Sequence, residues 1–253
     1  MAKRQPVKMV DMHCHFLPGV DDGSSDMEQT IAMLQIAAEE GIEAIIATPH
    51  YKNSHHCASP ETLQKIIATV EEEAHRQGII ISLYLGNEIF YFNEIVGKLD
   101  SEEIFTLNNT DRVLIEFSPS DDYTHIRNSL DSVATAGYVP ILAHVERYAC
   151  MLQDYKRVDE LKHMGVEIQI NVASVGGSTG WKTKRFCYEL IKNQWVDYVG
   201  TDAHDDVKRV PNFQKCYRVL SKKFDPSYVE KIFYRNALEI INAELRKKNA
   251  RTT

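Results

Sequence analysis

The sequence predicts an α/β protein built around a parallel β-sheet, and two observations support this fold class. Short runs rich in Val, Ile and Leu alternate with longer segments of helical periodicity along most of the 253 residues. Such alternation is typical of βαβ units, in which neighbouring strands run parallel. Hydrophobic residues make up 43% of the chain and charged residues 26%, as in a globular enzyme and unlike a disordered chain.

Seven apolar runs are predicted to form the strands. They are Val7–Met12, Glu43–Ala47, Ile79–Leu85, Arg112–Glu116, Val139–Ala143, Val166–Ile170 and Asp197–Gly200. Most are rich in aliphatic residues, as expected for parallel strands buried on both faces. Seven strands are compatible with a barrel or with an open doubly wound sheet, and the pattern does not decide between them. A nucleotide-binding open sheet is the weaker interpretation, because the sequence contains neither GxGxxG nor GxxxxGK[ST].

Start signals define the predicted helices. Ser25 and Glu28 have the spacing of a capping box ahead of the first helix. Ser59 followed by Pro60 predicts the N-cap and first residue of a second helix, which ends near Gln77. Further helices are predicted over 122–136, 154–164, 182–194, 212–223 and 226–248.

Composition and charge argue against several classes of protein. The net charge of −7 does not suit a dedicated nucleic-acid binder. We find no run near the roughly 20 apolar residues of a membrane span, and no signal peptide. The five cysteines are odd in number and lack CxxC spacing, which predicts free thiols in the cytoplasm. We expect one domain over 1–253, with 1–8 as an N-terminal extension and 244–253 as a disordered tail; the oligomeric state is not predicted.

Imidazole and carboxylate side chains follow six of the seven predicted strands. In a barrel the carboxyl ends of the strands converge on one face, so these residues would meet around one centre. Histidine and carboxylate ligands suit Zn, Mn or Fe. They outnumber the ligands that one ion uses, so we expect a cluster of two or three ions. The candidates are His13, His15, Asp22, His50, Glu88, Glu116, His144, Asp202 and His204.

The other histidines are not expected to bind metal. His75 and His163 lie on predicted helices, where solvated side chains are expected, and His125 begins a helix. The tract His55-His56-Cys57 resembles a metal-binding sequence but lies in a polar loop.

The candidate ligands fall in motifs that resemble the PHP (polymerase and histidinol phosphatase) superfamily. More narrowly, the chain resembles the bacterial manganese-dependent protein-tyrosine phosphatases of the CpsB/YwqE type, from about residue 9 to residue 242. The shared motifs are HxH at 13–15, Asp-Asp-Gly at 21–23, TPH at 48–50, GxE at 86–88 and TDAH at 201–204. The segments LIEFS at 114–118 and AHVER at 143–147 discriminate best, because the wider superfamily does not share them as a set.

The resemblance implies a single-domain, distorted (β/α)7 TIM-like barrel with a trinuclear manganese centre, Fe, Zn or Mg being alternatives. One ion would be held by His13, His15, Glu88 and Asp202. A second would be held by Glu88, Glu116 and His144. The third would be held by Asp22, His50 and His204. Arg147 and Arg209 match the arginines with which this family contacts phosphate, so both are candidate catalytic and substrate-binding residues.

The cysteines also argue for a metal-dependent mechanism. A cysteine-based tyrosine phosphatase needs Arg six residues after its nucleophile, and none of the five cysteines has one. A hydroxide bridging the metals is therefore the expected nucleophile for attack on phosphorus. Arg147 would stabilise the equatorial charge and Arg209 would anchor the phosphate. Asp202 or a water molecule could act as general acid.

The resemblance also implies the substrate. It would be a phosphotyrosine protein, such as the tyrosine-rich tail of an autophosphorylated bacterial tyrosine kinase in capsule or exopolysaccharide control. No nucleic-acid or membrane partner is expected.

Three alternatives remain open at this point. A histidinol-phosphate phosphatase would share the metal centre and differ at the pocket rim. There, four aromatic residues could stack on a tyrosine ring, although ordinary packing explains each equally well: Phe90, Tyr91, Phe92 and Tyr123. A PHP-type nuclease is disfavoured by the acidic composition and the lack of a second domain. A metal-stabilised scaffold without catalysis would need neither the full ligand set nor the two arginines.

Overall fold

The α/β class and the parallel arrangement of the strands are confirmed in a computed structural model, which describes residues 7–53 and 57–251. The strands are β1 (Met9–Cys14), β2 (Ile42–Ala47), β3 (His50–Tyr51), β4 (Ser82–Leu85), β5 (Glu88–Phe90), β6 (Arg112–Glu116), β7 (Val139–Leu142), β8 (Glu167–Asn171) and β9 (Tyr198–Gly200). All seven predicted strands are present, with ends shifted by up to three residues. The two short strands β3 and β5 were not predicted.

The strands form two parallel sheets, ordered β1-β2-β4 and β3-β5-β6-β7-β8-β9. A parallel bridge between Cys14 and Ala203 connects the end of β1 to the segment after β9. Strands β2 and β3 are separated by Thr48 and Pro49, and a proline cannot donate to a ladder of hydrogen bonds. The strands β2 and β3 therefore belong to different sheets, and the candidate ligands follow strands of both sheets.

Alternate residues of the strands pack on opposite faces of the sheets. Leu114 of β6 joins an inner cluster with Val10 and Ile141, whereas Val113 and Ile115 face the cluster beneath the helices. All five side chains are buried. Because both faces are covered, the strands appear in the sequence as continuous apolar runs.

The helices lie between the strands in chain order or, in the last part of the chain, after β9. They are α1 (Met27–Glu39), α2 (Pro60–Arg76), α3 (Ile95–Asp100), α4 (Tyr123–Thr135), α5 (Ala149–Gln153), α6 (Lys156–His163), α7 (Val172–Gly176), α8 (Trp181–Lys192), α9 (Gln214–Ser221), α10 (Pro226–Glu230) and α11 (Asn236–Arg251). A π-helical segment, Lys231–Arg235, separates α10 from α11 within the predicted helix 226–248. Helix α11 continues to Arg251, past residue 244, where the tail was expected to begin.

Two predicted helix starts have different outcomes. Ser59 is the N-cap of α2, and its hydroxyl accepts a hydrogen bond from the N–H of Thr62 at 3.3 Å. The N-cap predicted at Ser25 was wrong by one residue, because the Asp26 carboxylate accepts from the N–H of Gln29 at 2.9 Å. Ser25 instead donates its N–H to the side chain of Gln29 at 2.8 Å. The carboxylate is charged and lies nearer the positive end of the helix dipole, which favours it as the cap.

Membrane-spanning segments, cysteines and chain ends were also predicted from the sequence. Within the ranges 7–53 and 57–251, no helix has the length and apolar character required to cross a membrane. The five cysteines are free, and four of them are buried. His55 and His56 lie outside the described residues, as do residues 1–6 of the expected extension and the last two residues of the expected tail.

Candidate metal centre

Most candidate ligands lie at or just beyond the carboxyl ends of strands, whereas His50 and Glu88 begin the short strands β3 and β5 and Asp22 lies in a loop. His13 and His15 come from the end of β1, and Glu116 ends β6. His144 follows β7, and the segment after β9 carries Asp202 and His204. Ligand atoms from seven of the nine residues fall into three groups within which every pair lies within 4.8 Å: His15, Asp22, His50 and His204; His13, His15 and Glu88; and His50, Glu88 and Glu116.

Glu88 lies at the middle of this cluster. Its Oε2 atom is 3.3 Å from Nε2 of both His13 and His15, and 3.0 Å from Nδ1 of His50. Its Oε1 atom is 2.7 Å from Nε2 of His144. Four imidazoles from three different parts of the chain therefore surround one buried carboxylate.

Orphaned polar atoms in this cluster fit a cation. Among the described residues, neither Glu88 Oε2 nor His50 Nδ1 has a partner with hydrogen-bond geometry, although both atoms are buried. Buried polar atoms without partners are costly, and they are uncommon in native proteins. Histidine nitrogens and carboxylate oxygens directed at a common space are the donor set of Zn, Mn and Fe sites. The residues present therefore fit bound metal ions.

A second side of the cluster opens toward solvent. Oδ1 of Asp22 lies 3.2 Å from Nε2 of His50 and 3.6 Å from Nε2 of His204, and the Asp22 side chain is 69% exposed. The rings of His15 and His204 have centroids 4.0 Å apart. His15 thus belongs to this group as well as to the one with His13 and Glu88.

Asp202 connects the cluster to the two predicted phosphate-binding arginines. Its Oδ1 atom lies 3.7 Å from Nε2 of His13 and 3.6 Å from Nε2 of His15. Arg147 donates to Oδ2 of Asp202, and Arg209 lies 2.7 Å from Oδ1. Both guanidinium side chains are about two-fifths exposed, at 39% and 41%. The arginines therefore lie between the buried ligands and solvent, where an anionic substrate could reach them.

Burial and charge set the protonation of this cluster. Burial opposes ionisation of Glu88 and Asp202, but the charge of His13 outweighs it and lowers both pKa values. Burial also opposes protonation of His15, but its hydrogen bonds to Asp21 and Glu88 raise its pKa to about 10. Without metal, positive imidazoles offset the negative carboxylates. Metal ions would take over this role.

Two further groups have pKa values shifted in the direction that favours their neutral forms. Burial, followed by the charge of Glu88, raises the pKa of Glu116 to about 7. Burial, followed by the positive charge of His15, lowers the pKa of His204 to about 3. Shifts of this size in one cleft are typical of functional sites.

The backbone around the ligands is tightly constrained. His144 and Asp202 both adopt left-handed conformations, with φ of 32° and 52°. Left-handed backbone is unfavourable for residues other than glycine and is often found at functional sites. Gly23, in the Asp-Asp-Gly motif, is required by a close approach, since a Cβ there would lie 2.1 Å from the carbonyl oxygen of His15.

Sequence reasoning missed residues that orient the candidate ligands. Asp21 Oδ2 lies 2.7 Å from Nδ1 of His15 and accepts the backbone N–H of His50 at 3.0 Å. The side-chain oxygen of Gln169 accepts the backbone N–H of His144 at 2.6 Å and lies 3.3 Å from Nδ1 of His13. The contacts to the rings of His15 and His13 are of the kind that fix the orientation of a ligating imidazole, whereas the other two hold the backbone. Asp21 had a visible signal beside Asp22, whereas nothing local distinguished Gln169.

The other histidines and the aromatic residues singled out from the sequence have different surroundings. His75, His125 and His163 lie on helices and not among the three groups of ligand atoms. Tyr91 stacks on Phe117, with ring centroids 5.3 Å apart. Tyr123 donates to the carbonyl oxygen of Arg157, and Phe92 packs against Tyr51, with centroids 5.9 Å apart.

A family model described as capsular polysaccharide synthesis, CpsB/CapC, matches residues 9–242 of the chain. The chain belongs to the CpsB/CapC family. The resemblance inferred from the motifs is thereby confirmed.

Relatives within the CpsB/CapC family are named as phosphatases. The tyrosine-protein phosphatase CpsB of Streptococcus pneumoniae is 31% identical over 243 residues, covering 94% of this chain and 100% of the relative. The tyrosine-protein phosphatase YwqE of Bacillus subtilis is 31% identical over 217 residues, covering 85% of each chain. A crystal structure described under the names YwqE and CpsB, as metal-dependent tyrosine phosphatases, also matches this chain. Its fold agrees with a TM-score of 0.87 at 29% identity, and the match covers 92% of this chain and 94% of the other.

More distant structures share the fold. A histidinol phosphate phosphatase from Lactococcus lactis matches with a TM-score of 0.56 and 14% identity, covering 85% of this chain and 93% of the other. At this identity the match is evidence of fold alone. The CpsB/CapC chain thus shares its fold with this protein.

Proposed function

We propose that this protein is a metal-dependent phosphomonoesterase that removes phosphate from tyrosine residues of proteins. The observation that carries the proposal is the convergence of histidines, carboxylates and two arginines at one edge of the parallel strands. The ligand cluster supports metal binding, and the half-exposed arginines support an anionic substrate. The names of the family relatives support phosphotyrosine as the group that is hydrolysed.

The ions proposed for this centre are two or three Mn²⁺ per chain, with Fe, Zn or Mg as alternatives. The first would be held by His13, His15, Glu88 and Asp202. The second would be held by Glu88, Glu116 and His144, and the third by Asp22, His50 and His204. His15 and His50 each approach ligands of a neighbouring set, which supports closely spaced ions. Bound metal ions supply Lewis-acid stabilisation of a phosphoryl group and lower the pKa of a coordinated water.

The chain's own residues would bind and orient the phosphate. Arg147 and Arg209 each contact Asp202 through one nitrogen, which leaves other N–H groups of each guanidinium to donate to phosphoryl oxygens. The lowered pKa of Asp202 keeps it ionised, so it would anchor both arginines before substrate binds. A phenolate is a fairly good leaving group, which reduces the need for a strong general acid.

The physiological partner proposed is a phosphotyrosine protein, such as the tyrosine-rich tail of a bacterial tyrosine kinase that controls capsule or exopolysaccharide synthesis. The family description supports this context. A cytoplasmic location is proposed with it, and the free cysteines support that proposal.

We also infer that the two sheets together form a seven-unit barrel. The chain passes from β2 to β3 and from β4 to β5 with only two residues between the strands, so each pair counts as one interrupted strand. Two hydrogen bonds link the end of β1 to the segment after β9: Asp202 N–H to His13 O at 2.8 Å, and His15 N–H to Ala203 O at 2.9 Å. These links support closure between the first and last strands.

The test is a substrate panel on one metal-analysed preparation. A phosphotyrosine peptide, histidinol phosphate and single-stranded DNA are offered side by side with Mn²⁺. Turnover of the phosphotyrosine peptide in preference to the other two is the expected result. Preference for histidinol phosphate or cleavage of DNA would replace the proposal with the corresponding alternative, and bound metal without any turnover would favour a scaffold.

A further inference from the structure

We propose that Phe90 forms an aryl-binding subsite at the opening of the metal centre and selects phosphate esters that carry an aromatic ring. This inference rests on the proposed function, because it concerns the substrate of the same site. Phe90 is the last residue of β5 and is 36% exposed, unlike the residue before it, Ile89, which is buried.

The register of the strands places Phe90 on the same side of the sheet as the ligands. Side chains two residues apart on a strand point to the same face, so Phe90 lies on the face of Glu88. In the parallel ladder Phe90 pairs with Glu116, and Glu88 pairs with Leu114 of the inner cluster. The ring of Phe90 therefore lies beside Glu116 and further along the strand than Glu88, on the same face.

The height of Phe90 above the ligands suits an aryl phosphate. A strand rises about 3.3 Å per residue, so Phe90 lies about 6.6 Å nearer the opening than Glu88. In phosphotyrosine the ring is joined to phosphorus through a single ester oxygen. A phosphate held among the ligands and arginines would thus place its ring at the level of Phe90.

Neighbouring groups leave this position open to a ring. Tyr91 and Phe92, the next residues along the chain, pack against Phe117 and Tyr51 and are partly buried against the core. Phe90 is instead an exposed large apolar side chain, and it pairs in the sheet with the candidate ligand Glu116. Exposed aromatic side chains beside a polar site are typical of ligand recognition.

The charges beside Phe90 also favour a phosphorylated substrate over a neutral one. Continuing the register from His50 opposite Glu88 places Lys52 level with Phe90. An aromatic ring flanked by a cation suits an anionic aryl ester.

The experiment measures binding of two anions to the Mn²⁺-loaded protein by calorimetry. Benzylphosphonate carries the ring on one linking carbon in place of the ester oxygen and resists hydrolysis, whereas inorganic phosphate has no ring. We expect Phe90→Ala to weaken benzylphosphonate binding by about 3- to 10-fold, the range of one aromatic contact, and to leave phosphate binding unchanged. Phe90→Tyr should retain the preference for benzylphosphonate. Ile80→Ala, which truncates another exposed apolar side chain at the amino side of β4, should alter neither affinity.

Two outcomes would overturn the subsite. Equal weakening of both anions would mean that Phe90 supports the centre generally, and no change in either would mean that the ring does not contact Phe90. The proposed function can fail separately. If the wild-type protein leaves phosphotyrosine peptides intact but prefers benzylphosphonate in a Phe90-dependent way, then the protein substrate is wrong and the aryl subsite stands.

Discussion

Glu88 is the side chain on which the candidate centre depends most. Its two oxygens approach imidazoles of His13, His15, His50 and His144 at 2.7 to 3.3 Å. Those four residues are spread over more than half the chain, and the carboxylate is the group that they share. Removing it would leave several positive or polar side chains facing one another without compensation.

We predict that Glu88→Ala and His15→Ala lose bound metal and nearly all turnover. Replacing even a residue that only orients a ligand typically costs about 10- to 100-fold in metal affinity, so removing a ligand should cost at least that much. Elemental analysis and a phosphatase assay on each variant measure the two effects. His75→Ala and His163→Ala, on exposed helix faces, are the matched controls and should change neither quantity. Full metal content in His15→Ala would remove that residue from the centre.

Arg147 contacts the buried side chain of Asp202, but its own side chain remains partly exposed. It donates to Asp202, follows the strained backbone of His144 by three residues, and keeps two-fifths of its side chain exposed. If the contact with buried Asp202 were purely structural, removing Arg147 would cost stability and leave kinetics intact. A guanidinium that binds phosphate would instead contribute to the transition state.

We predict that Arg147→Ala lowers kcat/KM on a phosphotyrosine peptide by on the order of 10²-fold or more, as for removal of one transition-state donor. Arg147→Lys should recover only part of the loss, because lysine lacks the two parallel donors. Metal content should be unchanged in both variants. Arg209→Ala should act more through KM, as expected for a group that holds ground and transition states alike. Near-wild-type kcat/KM for Arg147→Ala at saturating Mn²⁺ would contradict this role.

At the scale of single elements, β1, β8 and β9 meet with little space between them. Gly200, the last residue of β9, pairs with Asn171 of β8. A Cβ at Gly200 would lie 2.8 Å from Cβ of His13 and 2.9 Å from the side-chain nitrogen of Gln169. Both neighbours are buried, and both contribute to the orientation of the candidate ligands. The absence of a side chain at Gly200 therefore determines where His13 can lie.

We predict that Gly200→Ala destabilises the fold by about 1–3 kcal/mol, the usual cost of overpacking a filled core, and weakens metal binding. Thermal unfolding with and without Mn²⁺ measures both effects. Gly97→Ala is the matched control, since the added Cβ in exposed helix α3 would meet nothing within 4 Å. That change should be neutral or stabilising by up to about 1 kcal/mol, because alanine favours helix. Equal effects of the two substitutions would show that the close contact at Gly200 is unimportant.

At the scale of the whole molecule, the thiols are protected while the candidate centre is open to solvent. Burial raises the pKa of Cys14 and Cys187 well above its usual range, and it raises that of Cys216 to about 12. Cys57 is partly exposed. Reagents that attack thiolates would therefore react with Cys57 first.

We predict that a chelator abolishes turnover and lowers the melting temperature, whereas thiol alkylation of the native protein spares most activity. Metal ions that bind the folded state stabilise it by mass action, so their removal lowers stability. Activity assays and thermal unfolding before and after each treatment provide the measurement. Cys57→Ser controls for modification near the opening of the centre. Rapid inactivation of that variant by alkylation, with its metals still bound, would contradict a metal-dependent mechanism.

The sequence by itself determined the strands, most helices and the kinds of side chain at the strand ends. These features follow from local rules, since side chains alternate along strands and repeat every 3.6 residues along helices. Ser59 and Pro60 marked the start of α2 for the same reason, because an N-cap bonds to residues within its own first turn. The short β3 and β5 carried too few residues for such a pattern to be visible.

Only the tertiary structure decided which side chains contact one another at the candidate centre. Gln169 reaches both His13 and His144, residues separated from it by 156 and 25 positions. Asp21 contacts the ring of His15 and the backbone of His50, although the sequence favoured its neighbour Asp22 as the functional residue. Contacts of this range depend on strand register and on where loops return, and a one-residue change of register would redirect every side chain. The exposure of Phe90 was decided in the same way, since Tyr91 and Phe92 pack against Phe117 and Tyr51 whereas Phe90 remains 36% exposed.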